Sequence, residues 1–257
     1  MSTASDGDEP RIHEFDELPS TSSEAARMAA AGDSGPFWVL AHHQTSGRGR
    51  SGRTWLTARG NLAISHLFAP ECDTSVLPQL SIVAGVAAIA ALAEFWPEGR
   101  REGRLRLKWP NDLMIDRAKI GGLLVETTRL GDRQVCTIGI GVNLVHAPAV
   151  EGREVDCLAR HVGRPLELRA VARSLAREFA RWRALWDCGR GFDAVRSAWL
   201  ERAGPIGEPI TVHVAGEVMA GTFLGLDTDG ALLFGDVEGH RHRVTFGDVT
   251  LTPQAKA

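Results

Sequence analysis

The sequence predicts an α/β (α+β) protein built on a mixed, mainly antiparallel sheet and followed by a small β-barrel. Three observations carry this. Strand-like stretches flank one long apolar helical run, and consecutive strands are joined by loops too short for crossover helices, which favours antiparallel pairing. Beyond Gly204-Pro-Ile-Gly207 the texture changes to short strands punctuated by turns. Asp229-Gly230, set between two apolar runs, is a strong hairpin signal.

Taken in order, a polar, acidic start suggests a disordered tail over residues 1–11, ahead of a first strand at 12–15. Thr21 and Glu24 have the spacing of a capping box before an alanine-rich helix at 25–31. A short apolar strand at 37–43 runs into a Gly/Arg-rich loop, and 61–68 alternates as another strand. Residues 75–96 read as a long apolar helix lying across the sheet. Four strands follow at 105–109, 113–116, 121–126 and 135–144, then helices at 168–186 and 192–202. Strands at 210–214, 218–226, 231–235 and 240–246 build the barrel, so a large domain at 12–204 and a small one at 205–257 are expected.

With 257 residues, 44% hydrophobic and 24% charged, the composition is that of an ordinary globular protein. A formal charge of -3 argues against a general nucleic-acid binder. Cys72, Cys136, Cys157 and Cys188 are far apart and form no C-x-x-C, so neither structural zinc nor a disulfide framework is expected, and a reducing cytoplasm is the default. The N-terminus lacks the basic and apolar regions of a signal peptide. The longest apolar run, 82–93, stops at Glu94 and is too short to cross a bilayer, so no membrane partner is expected.

Lysine is used three times, at Lys108, Lys119 and Lys256, in a chain with 29 basic residues. The first two bracket one segment, from Lys108-Trp-Pro-Asn-Asp112 to Lys119-Ile-Gly-Gly122. Where Arg serves nearly every solvated positive charge, a compact ammonium points to a phosphate or carboxylate. Pro110 fixes its own φ and holds Trp109 extended, presenting Asn111 and Asp112 at a strand end, although both are also ordinary turn residues. Gly121-Gly122 permits close approach of a ligand to backbone. Upstream, Gly47-Arg-Gly-Arg-Ser-Gly52 matches G-x-G-x-x-G, but no helical run follows and Arg48, Arg50 and Arg53 crowd the turn, which excludes a dinucleotide fold. Such a loop can surround an anion with amides and guanidiniums; the bland alternative is a solvated hairpin. His42 and His43 read as strand-end or core residues, and there is neither a Ser/His/Asp set nor an H-E-x-x-H helix.

On Ser20-Thr21, Gln44 through Gly52, Lys108-Trp-Pro-Asn-Asp112, Lys119 with Gly121-Gly122, Gly139-Ile-Gly-Val-Asn143 and Gly225 through Leu233, the chain resembles the biotin–protein ligases over residues 12–253. The resemblance implies a catalytic domain related to class II aminoacyl-tRNA synthetases and an SH3-like C-terminal barrel. It implies an enzyme that activates biotin as biotinyl-5′-AMP with ATP and Mg2+, then transfers it to a lysine of a biotin carboxyl carrier protein domain. Ser20, Thr21, Ser22 and Gln44 would hold the ureido ring, Ser22 standing where many relatives have Asn. Gly47, Arg48, Gly49, Arg50 and Gly121 would surround the biotin carboxylate and adenylate phosphate, and Lys119 would neutralise the same oxygens. Arg53, Trp55, Asn111 and Asn143 would receive the nucleotide, Trp55 stacking on adenine and Asn143 reading its edge. Asp112 would steer the acceptor lysine and Lys108 would support the phosphate or the local structure, so Arg50, Lys108, Asp112 and Lys119 form the expected catalytic set.

The Gly/Arg loop is expected to be mobile until an anion orders it. No dedicated metal cage is expected. With 19 residues before Ser20, a DNA-binding repressor domain is not expected, while a homodimer is allowed. Two alternatives remain: a lipoate-type ligase of the same architecture, and a non-enzymatic nucleic-acid-binding protein using the basic loop and barrel.

Overall fold

The computed structural model describes residues 9–33, 35–98, 103–214 and 216–252; the outermost residues of the expected tail and of the small domain lie outside the described residues. Strand β1 (Ile12–Leu18) leads into helix α1 (Thr21–Ala30), and β2 (Phe37–Gln44) returns parallel to β1. This crossover gives the mainly antiparallel sheet the mixed character expected of it. The helix cap also differs. Ser20 is the N-cap, accepting from the Ser23 amide at 3.5 Å, so Thr21 sits inside the first turn. Thr21 is drawn there by tertiary bonds: its amide and hydroxyl both donate to Gln44 Oε1, at 2.8 and 3.1 Å. Glu24 pairs with Arg27 instead of closing a capping box.

Next come β3 (Leu62–Phe68), a 3-10 turn (Thr74–Gln79) and α2 (Leu80–Ala93). The expected single helix divides because Pro78, which has no backbone N–H, lies in the last turn of the 3-10 segment just ahead of the α-helical one. Together Thr74–Ala93 covers 20 residues, long and apolar enough by composition to cross a membrane, which corrects the shorter run read from sequence. It is nevertheless a core element, with 72% of its most apolar 18-residue stretch buried within the protein. Strands β4 (Leu105–Lys108), β5 (Asp112–Ile115), β6 (Ala118–Leu130) and β7 (Arg133–Val142) complete a seven-stranded sheet ordered β1-β2-β3-β7-β6-β5-β4. β6 is longer than its apolar stretch suggested because β7 pairs with it through Leu130–Arg133 in a continuous hairpin. β3 is buried along its whole length, since α1 lies against one part and α4 against another.

A short helix α3 (Ala159–Val162), absent from the sequence reading, is followed by α4 (Leu168–Trp186) and α5 (Phe192–Arg202). α4 packs on α2, placing Phe179 and Trp186 at 1% and 2% exposure. Burying each such side chain stabilises the fold by about 2–3 kcal/mol before chain entropy is subtracted. Trp186 Nε1 donates to Gln79 Oε1 at 2.6 Å, so the indole's polar edge is satisfied inside the core.

The remaining strands are β8 (Pro209–Val214), β9 (Glu217–Leu226), β10 (Leu232–Asp236), β11 (Arg241–Val244) and β12 (Asp248–Leu251). They form a five-stranded antiparallel sheet ordered β11-β10-β9-β8-β12, the counterpart of the expected barrel. The last strand read from sequence, 240–246, is β11; β12 follows it beyond Gly247, pairs with β8, and was not read from the sequence. Polar bonds tie this sheet to the edge of the large one. Arg106 and Glu208 form an ion pair at 2.7 Å, Lys108 Nζ donates to the Val249 carbonyl at 2.6 Å, and Trp109 Nε1 donates to the Gly230 carbonyl at 3.1 Å.

Candidate active site

A cavity of about 430 Å³ opens between the start of α1, the β2–β3 loop, the β4–β5 turn and the start of β12. Fourteen of the sixteen residues singled out in the sequence line it: Ser20, Thr21, Ser22 and Gln44 at one end; Arg48, Gly49, Arg50, Arg53 and Trp55 from the loop; Lys108, Asn111, Asp112, Lys119 and Asn143 from the sheet. Gly47 and Gly121 do not line it. Both are close-packed behind the lining: a Cβ at Gly47 would lie 2.3 Å from the Trp55 carbonyl, and one at Gly121 would lie 2.6 Å from that of Gly141. Their lack of a side chain serves backbone packing.

The Gly/Arg loop forms a hairpin, with bridges pairing Gln44 to Thr57 and Arg48 to Thr54 around a 3-10 turn (Arg50–Gly52). Ser51 takes the left-handed conformation at φ 54, and no helix follows. The arginines are anchored on two sides. Arg48 pairs with Glu126 of β6 at 3.1 Å. Arg50 reaches β12, donating to the Gly247 carbonyl at 3.1 Å and the Asp248 carboxylate at 3.3 Å, and lies 5.4 Å from the Phe246 ring centre. Arg53 donates to the same carboxylate at 3.0 Å. Burial pushes the Arg50 pKa down from its ordinary value, with Asp248 opposing.

Across the cavity, β5 begins with Asp112, whose carboxylate pairs with both Lys119 and Lys108, the latter at 2.7 Å. Burial alone would raise the Asp112 pKa, but Lys108 and then Lys119 overcome it and hold the group at about 2. The stability contributed by this ionisation is present above the ordinary value of 3.8 and is lost as pH falls through about 2. Burial lowers the Lys119 pKa, with Asp112 working against the shift. Asn111 is fixed by a bond from its Nδ2 to the Leu123 carbonyl at 2.5 Å. Asn143 donates from Nδ2 to the Asp156 carbonyl at 3.2 Å, while its buried Oδ1 has no partner among the described residues and can accept from a bound molecule.

β7 supplies space. Gly139 and Gly141 face the cavity while Ile138 and Val142 enter the core. A Cβ on Gly141 would stand 2.4–2.7 Å from the Trp55 indole, so that ring can lie on the strand because position 141 is glycine. Sequence reasoning missed Asp248, which is brought to the loop across some two hundred residues of chain, and Ser65, a hydroxyl inside an otherwise apolar strand. The cavity therefore has an uncharged end of hydroxyls and an amide, and a cationic end of Arg50, Arg53, Lys108 and Lys119. It suits a ligand with a neutral, hydrogen-bonding head and a negatively charged tail. Among the described residues no three His, Cys, Asp or Glu side chains gather to hold a metal ion.

Residues 16–143 match the family model described as the biotin/lipoate A/B protein ligase family. A biotin–[acetyl-CoA-carboxylase] ligase of Paracoccus denitrificans is 38% identical over 220 residues, covering 83% of this chain and 90% of that one. The bifunctional ligase/repressor BirA of Escherichia coli strain K12 is 29% identical, covering 76% of this chain and 60% of that one. Among solved structures, a biotin protein ligase from Aquifex aeolicus in complex with biotin and ATP superposes with a TM-score of 0.78 at 24% identity, covering 95% of this chain and 99% of that one.

Proposed function

This chain belongs to the biotin/lipoate A/B protein ligase family, among its biotin–protein ligases, and we propose that it joins biotin to ATP and passes the biotinyl group to a carrier lysine. The observation that supports this best is the pairing, in one cavity, of a neutral polar end with a cluster of cations, three of them largely shielded from solvent. The neutral end takes the cyclic urea, and the cations meet the carboxylate and the α-phosphate.

In the first step a biotin carboxylate oxygen attacks the α-phosphorus; the new P–O bond forms as the bond to the β-phosphate oxygen breaks, and pyrophosphate leaves. Negative charge accumulates on the α-phosphoryl oxygens, where Lys119 and Arg50 act with no reorganisation of solvent. Trp55 offers a face to the adenine and the unpartnered Asn143 Oδ1 an acceptor for its exocyclic amine. In the second step the carrier lysine's neutral amine attacks the acyl carbon, AMP departs with the bonding pair, and the nitrogen's surplus proton passes to solvent or the departing phosphate. Asp112, kept ionised by two lysines, is suited to steering that amine and not to deprotonating it. Mg2+ enters as the ATP complex. The acids at the cavity wall, Asp112 and Asp248, are both engaged by cations and leave the nucleotide phosphates as its principal ligands.

We assign residues 12–204 to the catalytic unit and 205–257 to a second unit, place the reaction in the cytoplasm, and take a biotin carboxyl carrier protein domain as the acceptor, with no DNA or membrane partner. Mass spectrometry of such a domain incubated with the enzyme, biotin and MgATP should show one biotinyl adduct. Biotin, and not lipoate, should drive exchange of labelled pyrophosphate into ATP. Lipoate-driven exchange alone would move the chain to the lipoate-type activity, and sequence-selective DNA binding at physiological salt would add a role not proposed here. Gly141→Ala should displace Trp55 and raise the KM for ATP at least about tenfold, with biotin affinity retained. An unchanged KM for ATP would remove Trp55 from the nucleotide site.

A further inference from the structure

Ser65 lies on β3, is fully buried and does not reach the cavity wall, yet two cavity residues lean on it. Its hydroxyl is 2.7 Å from Thr21 Oγ1 and 3.0 Å from Ser22 Oγ. Thr21 Oγ1 in turn donates to Gln44 Oε1 at 3.1 Å. The orientation of the Gln44 amide is settled by its neighbours, because Oε1 also receives the Thr21 backbone N–H while Nε2 donates to Thr57 at 3.1 Å.

Each hydroxyl has one proton to give. If Thr21 gives its proton to Gln44, the short contact with Ser65 must be filled by the Ser65 proton, and the contact with Ser22 by the Ser22 proton. This arrangement satisfies all three contacts at once; reversing any link leaves two lone pairs facing each other. The chain therefore runs one way, from Ser22 to Ser65 to Thr21 to Gln44. Its consequence at the cavity is that Thr21 and Ser22 have spent their protons inward. They offer only lone pairs to a ligand.

We propose that Ser65 is a positioning and specificity-determining residue, which sets the direction of this relay so that the cavity floor presents two acceptors for the two N–H groups of a cyclic urea. Gln44 keeps a second amide proton beyond the one given to Thr57, which suits a carbonyl acceptor. A dithiolane ring has no N–H to offer, so the same floor leaves acceptors unmatched, which selects against it. Gly139 preserves the arrangement: a Cβ there would lie 2.9 Å from Ser22 Oγ and 3.6 Å from Ser65 Oγ.

The inference rests on the assignment of this cavity to biotin. Titration of the full chain with biotin and pyrophosphate-exchange kinetics test it together. Ser65→Ala should weaken biotin binding and raise the KM for biotin about tenfold, the value of one directed hydrogen bond, while the KM for ATP and kcat at saturating biotin stay at wild-type values. Gly139→Ala, which pushes Ser22 off Ser65 by a different route, should show the same biotin-selective loss and decides the matter if Ser65→Ala does not fold. A folded variant that binds biotin as tightly as wild type, or that loses ATP and biotin equally, would overturn the relay. A wild-type protein with no affinity for biotin would instead overturn the assignment beneath it.

Discussion

Lys119→Ala is expected to lower the adenylation rate about a hundredfold while the protein remains folded. The argument begins with the residue type, a lysine in a chain that otherwise uses arginine, and ends with its position. Its ammonium lies at the cavity wall, against Asp112 and 6.0 Å from the centre of the Trp55 ring. There it meets charge that grows on the α-phosphoryl group as the pyrophosphate bond breaks, and removing one such preorganised cation costs on the order of 3 kcal/mol in the transition state. The fold should tolerate the loss because Asp112 keeps Lys108 at 2.7 Å, so no buried carboxylate is stranded. Arginine should not restore the rate: its planar fork needs more room than a cavity side lined by Gly122, where a Cβ would already lie 3.3 Å from the lysine nitrogen. Near-normal biotin-dependent exchange of pyrophosphate into ATP by folded Lys119→Ala would refute the assignment.

The residues that sequence reasoning found are those whose role is written in local pattern. Lys108, Asn111 and Asp112 flank the β4–β5 turn, and Lys119 enters the neighbouring strand opposite Met114, within side-chain reach of Asp112, so recognising the strands already brought them close. The Gly/Arg loop declared itself by composition. What stayed hidden depended on contacts distant in sequence. Asp248 looks like any polar residue in a short strand, and nothing near it reveals that β12 reaches the loop. Ser65 is a small hydroxyl that fits an apolar strand without disturbing its pattern. The α1 cap failed for a related reason: four consecutive Ser or Thr residues, 20 to 23, could each cap a helix, and Thr21 was taken out of contention by Gln44, on another strand. The break in the long apolar helix was legible at Pro78, but its hydrophobic pattern outweighed that single residue.

Arg50→Gly is expected to release biotinyl-5′-AMP before transfer, lowering labelling of the carrier domain and increasing indiscriminate labelling of nearby lysines. In the structure this side chain fastens the loop across the cavity through the Gly247 carbonyl, the Phe246 ring and the Asp248 carboxylate that it shares with Arg53. Glycine removes all of these contacts and adds backbone entropy to a segment already holding Gly47, Gly49 and Gly52. A loop so loosened no longer excludes water or retains a mixed anhydride, which reacts readily with amines and water once it escapes. The arginines themselves provide the probe. The side chains of Arg48 and Arg53 are 48% and 41% exposed against 16% for Arg50, so in the unliganded protein trypsin should cut first at the outer two. Adding biotin and MgATP should protect all three in the wild type, as phosphate oxygens supply charge-assisted bonds to guanidiniums that otherwise repel one another. Protection should be lost at Arg48 and Arg53 in the Arg50→Gly variant. Equal cleavage with and without ligands, together with a variant that keeps its adenylate as long as wild type does, would show that the hairpin is a solvated turn and that closure resides elsewhere.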